Sequence, residues 1–305
     1  MIIDCYTAIW QSPEQLGPDA LRRLARPVTF GTDQLRLLPK ADTASLLLSA
    51  ESVDCSFVVG FKSRAMKVEI PNRFIADFCV EHPDRMIGFA GFDPTDPDAL
   101  DQLELIAREP GLKGLAIAPA AQDFHPCDTR AMRAYGRAVK LKLPVIFSPG
   151  PYLSQNARLE YARPVLMDEI ARTHPNLKII IANVGRPWVD ETLTLLQKHD
   201  HIMACLGSLL GEPWAAYDTL LRAWQMQVTD KLLFGSNFPF NSAAAAIETL
   251  YNINTFARNA GLPQVPREKL RQIVERDSAA LLGIEPPVGR LLANVQRNRR
   301  VSRNA

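Results

Sequence analysis

Apolar residues along this chain gather in eight short runs, at 1–5, 53–59, 86–92, 113–118, 143–147, 177–184, 201–206 and 231–235. Most are rich in Val, Ile, Leu or Phe with little polar alternation, the pattern of strands buried on both faces. Between them the period changes. In 98–108, Leu100, Leu103, Ile106 and Ala107 share a helical face behind Pro97. The stretches 130–142, 163–173, 188–199, 213–228 and 242–259 repeat that spacing. From the second run onward the starts recur roughly every 24 to 34 residues, the length of a strand plus a crossover helix. Eight such units predict an α/β fold closed into a (β/α)8 TIM barrel. An open doubly wound sheet would want a glycine-rich phosphate turn after its first strand, and Tyr6-Thr7-Ala8-Ile9-Trp10 is not one.

Two segments depart from this regularity. The connection at 11–40 is long, polar and proline-containing, so it is expected to be a long first βα loop over the C-terminal mouth of the barrel. After a last helix at 267–282, Arg290, Arg297, Arg299, Arg300 and Arg303 face no acidic residue. That pattern reads as a solvated tail rather than an arm for an anionic partner. The organisation expected is a barrel over 1–283 and a basic C-terminal extension over 284–305.

Composition narrows the function classes. With 35 basic and 33 acidic residues the formal charge is +2, which gives no reason to expect nucleic acid as a partner. The longest apolar runs are far shorter than the roughly 20 residues of a membrane span, so no membrane association is expected. The chain opens directly on a strand-like Met-Ile-Ile-Asp-Cys with no basic leader. Five scattered cysteines, Cys5, Cys55, Cys79, Cys127 and Cys205, form no CxxC pair, the usage of reduced thiols in a cytoplasmic protein.

Chemistry in such a barrel sits where strands end at the top. Five endings stand out: Asp4-Cys5-Tyr6-Thr7-Ala8-Ile9-Trp10, Pro144-Val145-Ile146-Phe147-Ser148-Pro149-Gly150, Ile181-Ala182-Asn183-Val184-Gly185-Arg186-Pro187-Trp188, Cys205-Leu206-Gly207-Ser208 and Phe234-Gly235-Ser236-Asn237-Phe238-Pro239-Phe240. These resemble the amidohydrolase-related family that includes aminocarboxymuconate-semialdehyde decarboxylase, related aromatic-acid decarboxylases and the pyrone-dicarboxylate lactonases. Family members open with Ile-Ile-Asp-x-His-x-His. They carry Phe-His-x-Gly and Ala-His-x-Gly after the fifth and sixth strands, and Gly-Ser-Asp-(Phe or Trp)-Pro after the eighth. The segment 119–128, with Gln122-Asp123-Phe124-His125-Pro126, also resembles their fourth-strand loop, and the likeness covers about residues 1–283.

The resemblance implies that the family's metal and catalytic positions fall at Tyr6, Ala8, Ser148, Asn183 and Asn237. Alanine offers no ligand, and neutral amides and hydroxyls bind transition metals poorly beside imidazole or carboxylate. Tyrosine would first have to lose a proton with a pKa of about 10. The expectation is therefore a barrel without a metal or other cofactor, a pseudoenzyme that keeps a small-molecule pocket or serves as a subunit. The alternative is a metal-independent hydrolase, lactonase or decarboxylase acting on a small carboxylate. Of the five histidines, His82, His174, His199 and His201 precede strands on the bottom face, leaving His125 to face the pocket, with Asp93 and Asp123 near it. Trp10, His125, Arg186, Trp188 and Phe238 are the expected pocket residues, Arg186 as a two-pronged carboxylate grip or a rim ion pair. The partner expected is a small carboxylate molecule, with homo-oligomerisation or pairing with an active paralogue as the subunit role.

Overall fold

The computed structural model of the chain describes residues 1–30 and 33–285. Eight parallel strands form one sheet in chain order, β1 Ile3–Thr7, β2 Cys55–Val59, β3 Met86–Gly91, β4 Leu112–Ile117, β5 Val145–Phe147, β6 Ile179–Ile181, β7 Ile202–Cys205 and β8 Leu232–Leu233. The sheet closes through β1 and the end of β8. Cys5 N–H donates to Phe234 O at 3.0 Å, Asn237 N–H to Tyr6 O at 3.0 Å, and Ala8 N–H to Phe238 O at 3.0 Å. The fold is the TIM barrel expected from the run spacing.

Alternation along the strands builds two cores. Ile3, Cys5, Phe57, Phe89, Ile146, Ile180, Met203 and Leu233 fill the barrel interior, closed by Ala279, Leu282 and Ile284. Their neighbours in sequence point outward and pack against the helices, as Val58, Ala90, Val145 and Ile179 do. Phe57 and Phe89 stack with centroids 4.9 Å apart, filling the centre of the barrel.

Three expectations about elements need correction. The segment 11–40 carries regular structure: a 3-10 turn Pro13–Leu16, a short helix Ala20–Leu24, and a hairpin of Arg26–Phe30 with Asp33–Leu37. The helix expected over 242–259 is two, Ala243–Tyr251 and Thr255–Ala260. It breaks because Asn254 turns its amide away to exchange hydrogen bonds with the backbone of Val265 at 2.7 and 3.0 Å. The last helix likewise splits into Arg267–Val274 and Ser278–Leu282, the second started by Asp277 accepting the N–H of Ala280 at 3.0 Å. The arginine-rich tail expected beyond residue 284 lies outside the described residues from 286 onward.

Candidate functional site

The sequence of β1 sets the centre of the mouth. Between Asp4 and Thr7 the pairing of β1 with β2 slips by one residue, a bulge of the kind that re-aims a side chain. Asp4 itself is 1% exposed and accepts the backbone N–H of Ser236 at 2.8 Å and of Tyr6 at 3.3 Å. Burial raises its pKa from an ordinary 3.8 to about 6 against those hydrogen bonds. This carboxylate ties the first strand to the last and is not presented to a ligand.

Above it opens a cavity of about 850 Å³, within the range of small-molecule sites. Tyr6, Ala8, Ser148, Asn183 and Asn237 all line it. Tyr6 is hydrogen-bonded to the Ser148 hydroxyl, and burial pushes its phenol up to about 12, so it stays protonated. Tyr6 lines the cavity without filling it. Ser148 Oγ also accepts the N–H of Gly150 at 3.1 Å. Asn183 sits at a left-handed φ of 55° and accepts the N–H of Ser208 at 2.8 Å. Asn237 has φ 65°, a conformation asparagine tolerates better than most residues.

The walls are aromatic and apolar: Trp10, Phe61, Tyr152, Leu210, Phe238 and Phe240. Leu16, Arg23, Leu24 and Ala25 come from the first βα segment. At the rim Arg186 and Glu212 face each other, Nη1 to Oε1 and Nη2 to Oε2, both at 2.8 Å. Each holds the other charged: Glu212 shifts Arg186 further up and Arg186 shifts Glu212 down. Among the described lining residues Glu212 is the sole carboxylate, and no histidine is present.

His125 and Trp188 do not line this cavity, which corrects the pocket drawn from sequence. His125 Nδ1 accepts the N–H of Cys127 at 3.1 Å, and its ring meets the edge of Tyr161. Trp188 precedes the helix Val189–Lys198, half-buried, its N–H bound to Gly185 O at 3.0 Å. Asp93 is consumed by Arg64 N–H and by the backbone and hydroxyl of Thr95, and Asp123 pairs with Arg158 at 3.2 Å. Cys205 is buried, its thiol pushed up to about 12 by loss of solvent, so no thiolate is available there. His82, His174 and His199 end helices on the far side of the barrel and His201 precedes β7. His199 Nε2 lies 2.7 Å from Asp168. The sequence reading missed Glu212 and Tyr152; it set the first segment over the mouth without naming its lining residues Leu16, Arg23, Leu24 and Ala25.

A family model described as Amidohydrolase matches residues 28–284. The chain belongs to the amidohydrolase family. No curated protein matches it significantly in sequence. Among solved structures it is similar to an uncharacterized TIM-barrel protein from Bordetella bronchiseptica, at 17% identity over 92% of this chain and 98% of that one, TM-score 0.66. A dihydroxybenzoic acid decarboxylase from Polaromonas sp. JS666, with bound manganese and the inhibitor 2-nitroresorcinol, is 16% identical over 92% and 96%, TM-score 0.64. A probable 2-pyrone-4,6-dicarboxylic acid hydrolase from Acinetobacter baumannii, with citric acid bound, is 14% identical over 93% and 99%, TM-score 0.61. At such identities the likeness carries the fold.

The described side chains that line the mouth offer a divalent metal no imidazole and a single carboxylate, Glu212, which is paired with Arg186. Tyr6 is held as a neutral phenol, Ala8 has no donor atom, and the Asn183 oxygen is turned to a backbone N–H. Among the described residues no group of three or more His, Cys, Asp and Glu side chains is placed to hold an ion. Neutral hydroxyls and amides do not replace the imidazole and carboxylate ligands that catalytic sites of this kind need. No described helix is long and apolar enough to cross a membrane.

Proposed function

We propose that this barrel works without a metal and holds a small planar organic molecule in its mouth, as a non-catalytic member of the amidohydrolase family. The observation that carries the reading is the floor of the cavity: phenol, methyl, hydroxyl and two carboxamides stand at Tyr6, Ala8, Ser148, Asn183 and Asn237. Those are the positions where the family's histidines and aspartate fall by motif. The surrounding residues, Ile2-Ile3-Asp4, Phe147 and Gly150, Ala182 and Gly185, and Gly235-Ser236 with Phe238-Pro239, keep the family pattern.

The chemistry of the cavity supports binding rather than turnover. General acid–base work needs a group that titrates near neutrality within reach of the substrate. Asp4 lies beneath the floor, outside the cavity lining, with its Oδ1 accepting two backbone N–H groups, and Glu212 is paired. Ser148 has no imidazole beside it among the lining residues, so its hydroxyl has no activating base. Aromatic walls with a hydroxyl and amide floor suit a flat ring bearing hydrogen-bonding substituents. The 2-nitroresorcinol and citric acid in the two related structures are molecules of suitable size.

The test has two parts. Purified full-length protein is equilibrated with manganese and zinc, dialysed and analysed for metal, with a substoichiometric content expected. Resorcinol is then titrated calorimetrically against the wild type and against Ala8→Phe, which fills part of the cavity. Binding by the first and loss in the second is expected. Turnover in a screen of lactones and aromatic acids would replace this reading with the metal-independent enzyme.

A further inference from the structure

We infer that Glu212 is an internal stand-in for a ligand carboxylate: it occupies the Arg186 guanidinium in the free protein and is exchanged for a carboxylate on the bound molecule. The inference rests on the pocket proposed above and adds what the molecule must carry.

The geometry is that of carboxylate recognition. Both terminal nitrogens of Arg186 reach separate oxygens of Glu212 at 2.8 Å, the fork-to-fork contact that specifies a planar acid. Arg186 follows β6 and Glu212 follows β7, and both line the cavity. A molecule entering the mouth therefore meets a guanidinium already arranged for a carboxylate.

The two partners are held differently. The Arg186 side chain is 30% exposed and that of Glu212 58%, so Glu212 returns to water more readily than Arg186 does. Exposed ion pairs contribute little net stability, because hydration replaces most of what is lost. Among the described residues the Glu212 carboxylate has no hydrogen-bond partner other than Arg186. Its backbone serves the fold separately, accepting the N–H of Ala216 at 2.9 Å at the start of the helix Pro213–Gln225. The side chain can swing out while the helix start stays in place.

The exchange gives the cavity a polarity. A ring between Trp10, Phe61 and Phe238 can set polar substituents on Tyr6 and Ser148 while a carboxylate at its other end reaches Arg186. A neutral ring of the same size gains nothing at the rim, because Glu212 keeps its place there.

Calorimetry on the full chain at fixed ionic strength decides the matter, with 2,6-dihydroxybenzoate and resorcinol as a pair differing in the carboxylate. Glu212→Gln is expected to tighten 2,6-dihydroxybenzoate roughly three- to tenfold by weakening the competitor, and to leave resorcinol within about twofold. Arg186→Met should abolish the preference for the acid, and Arg186→Lys, which keeps charge but loses the fork, should fall between. Melting curves establish that each variant is folded. An acid-to-neutral affinity ratio unchanged across wild type, Glu212→Gln and Arg186→Met overturns the exchange and leaves the pocket standing. A preference that disappears in Arg23→Met instead also overturns it. Failure of both probes to bind any form removes the pocket and the exchange together.

Discussion

Asp4 Oδ1 accepts the backbone N–H of Ser236 at 2.8 Å, joining two residues 232 positions apart across the seam where the barrel closes. The carboxyl is buried, and its pKa of about 6 exceeds the ordinary 3.8. The sign follows from linkage: the neutral acid is the form the fold prefers. Its stabilising contribution is full below about pH 4 and is lost as pH rises through 6, amounting to about 3 kcal/mol in total. His201, whose pKa burial lowers, works in the opposite direction. Comparison with Asp4→Asn cancels that background. Wild type should gain about 1 kcal/mol on Asp4→Asn between pH 7 and pH 5 in urea unfolding. A constant gap at the two pH values would dismiss this account of the seam.

Gly207 is expected to be intolerant of any side chain. Its φ is +48°, and an added Cβ would stand 2.1 Å from the Asn183 side-chain oxygen. Gly207→Ala should destabilise by roughly 2–4 kcal/mol, combining backbone strain with the displaced amide. Thermal and urea unfolding measure it, and a variant as stable as the parent would mean that Asn183 is free to move.

Tyr6→Phe isolates the hydroxyl that meets Ser148. Loss of one hydrogen bond at a cavity floor costs about 1 kcal/mol of stability, a shift of a few degrees in Tm. Resorcinol affinity should fall several-fold, since the floor then offers one polar group fewer. Equal affinity in both forms would show that ligands do not reach Tyr6.

Metal binding should be restorable. Asn237 N–H donates to Tyr6 O at 3.0 Å, and Ala8 follows two residues on, so these positions adjoin at the strand ends. The triple variant Tyr6→His, Ala8→His, Asn237→Asp supplies two imidazoles and a carboxylate, the number of protein ligands a catalytic site uses. It is expected to retain about one equivalent of zinc after dialysis, where wild type retains a small fraction of that. Tight stoichiometric metal in the wild type would contradict the proposed function at its base.

The barrel was legible because buried parallel strands leave nothing to alternation: runs such as Ile179-Ile180-Ile181 have no other reading once their spacing is seen. The five strand-end positions came from the resemblance to the family motifs, and because strand ends converge at one face of a barrel they line a single cavity. The hairpin Arg26–Phe30 with Asp33–Leu37 was not legible, because Pro27 argues against a central strand. In a two-stranded ribbon each strand is an edge, so the missing N–H costs little. Glu212 was missed although it follows the seventh apolar run as Arg186 follows the sixth. Their pairing depends on two loops meeting in space, which no local pattern encodes. His125 was misplaced because its loop turns back through Asp123, at φ 53°, and directs the imidazole to Cys127 and Tyr161.

Leu16, Arg23, Leu24 and Ala25 reach the cavity from a segment that supplies none of the eight strands. This part of the mouth is thus written in a stretch of the gene separate from the closed sheet. Substitutions at Leu16, Arg23, Leu24 and Ala25 can reshape what the mouth admits while the closed sheet, with its demanding packing, is inherited unaltered.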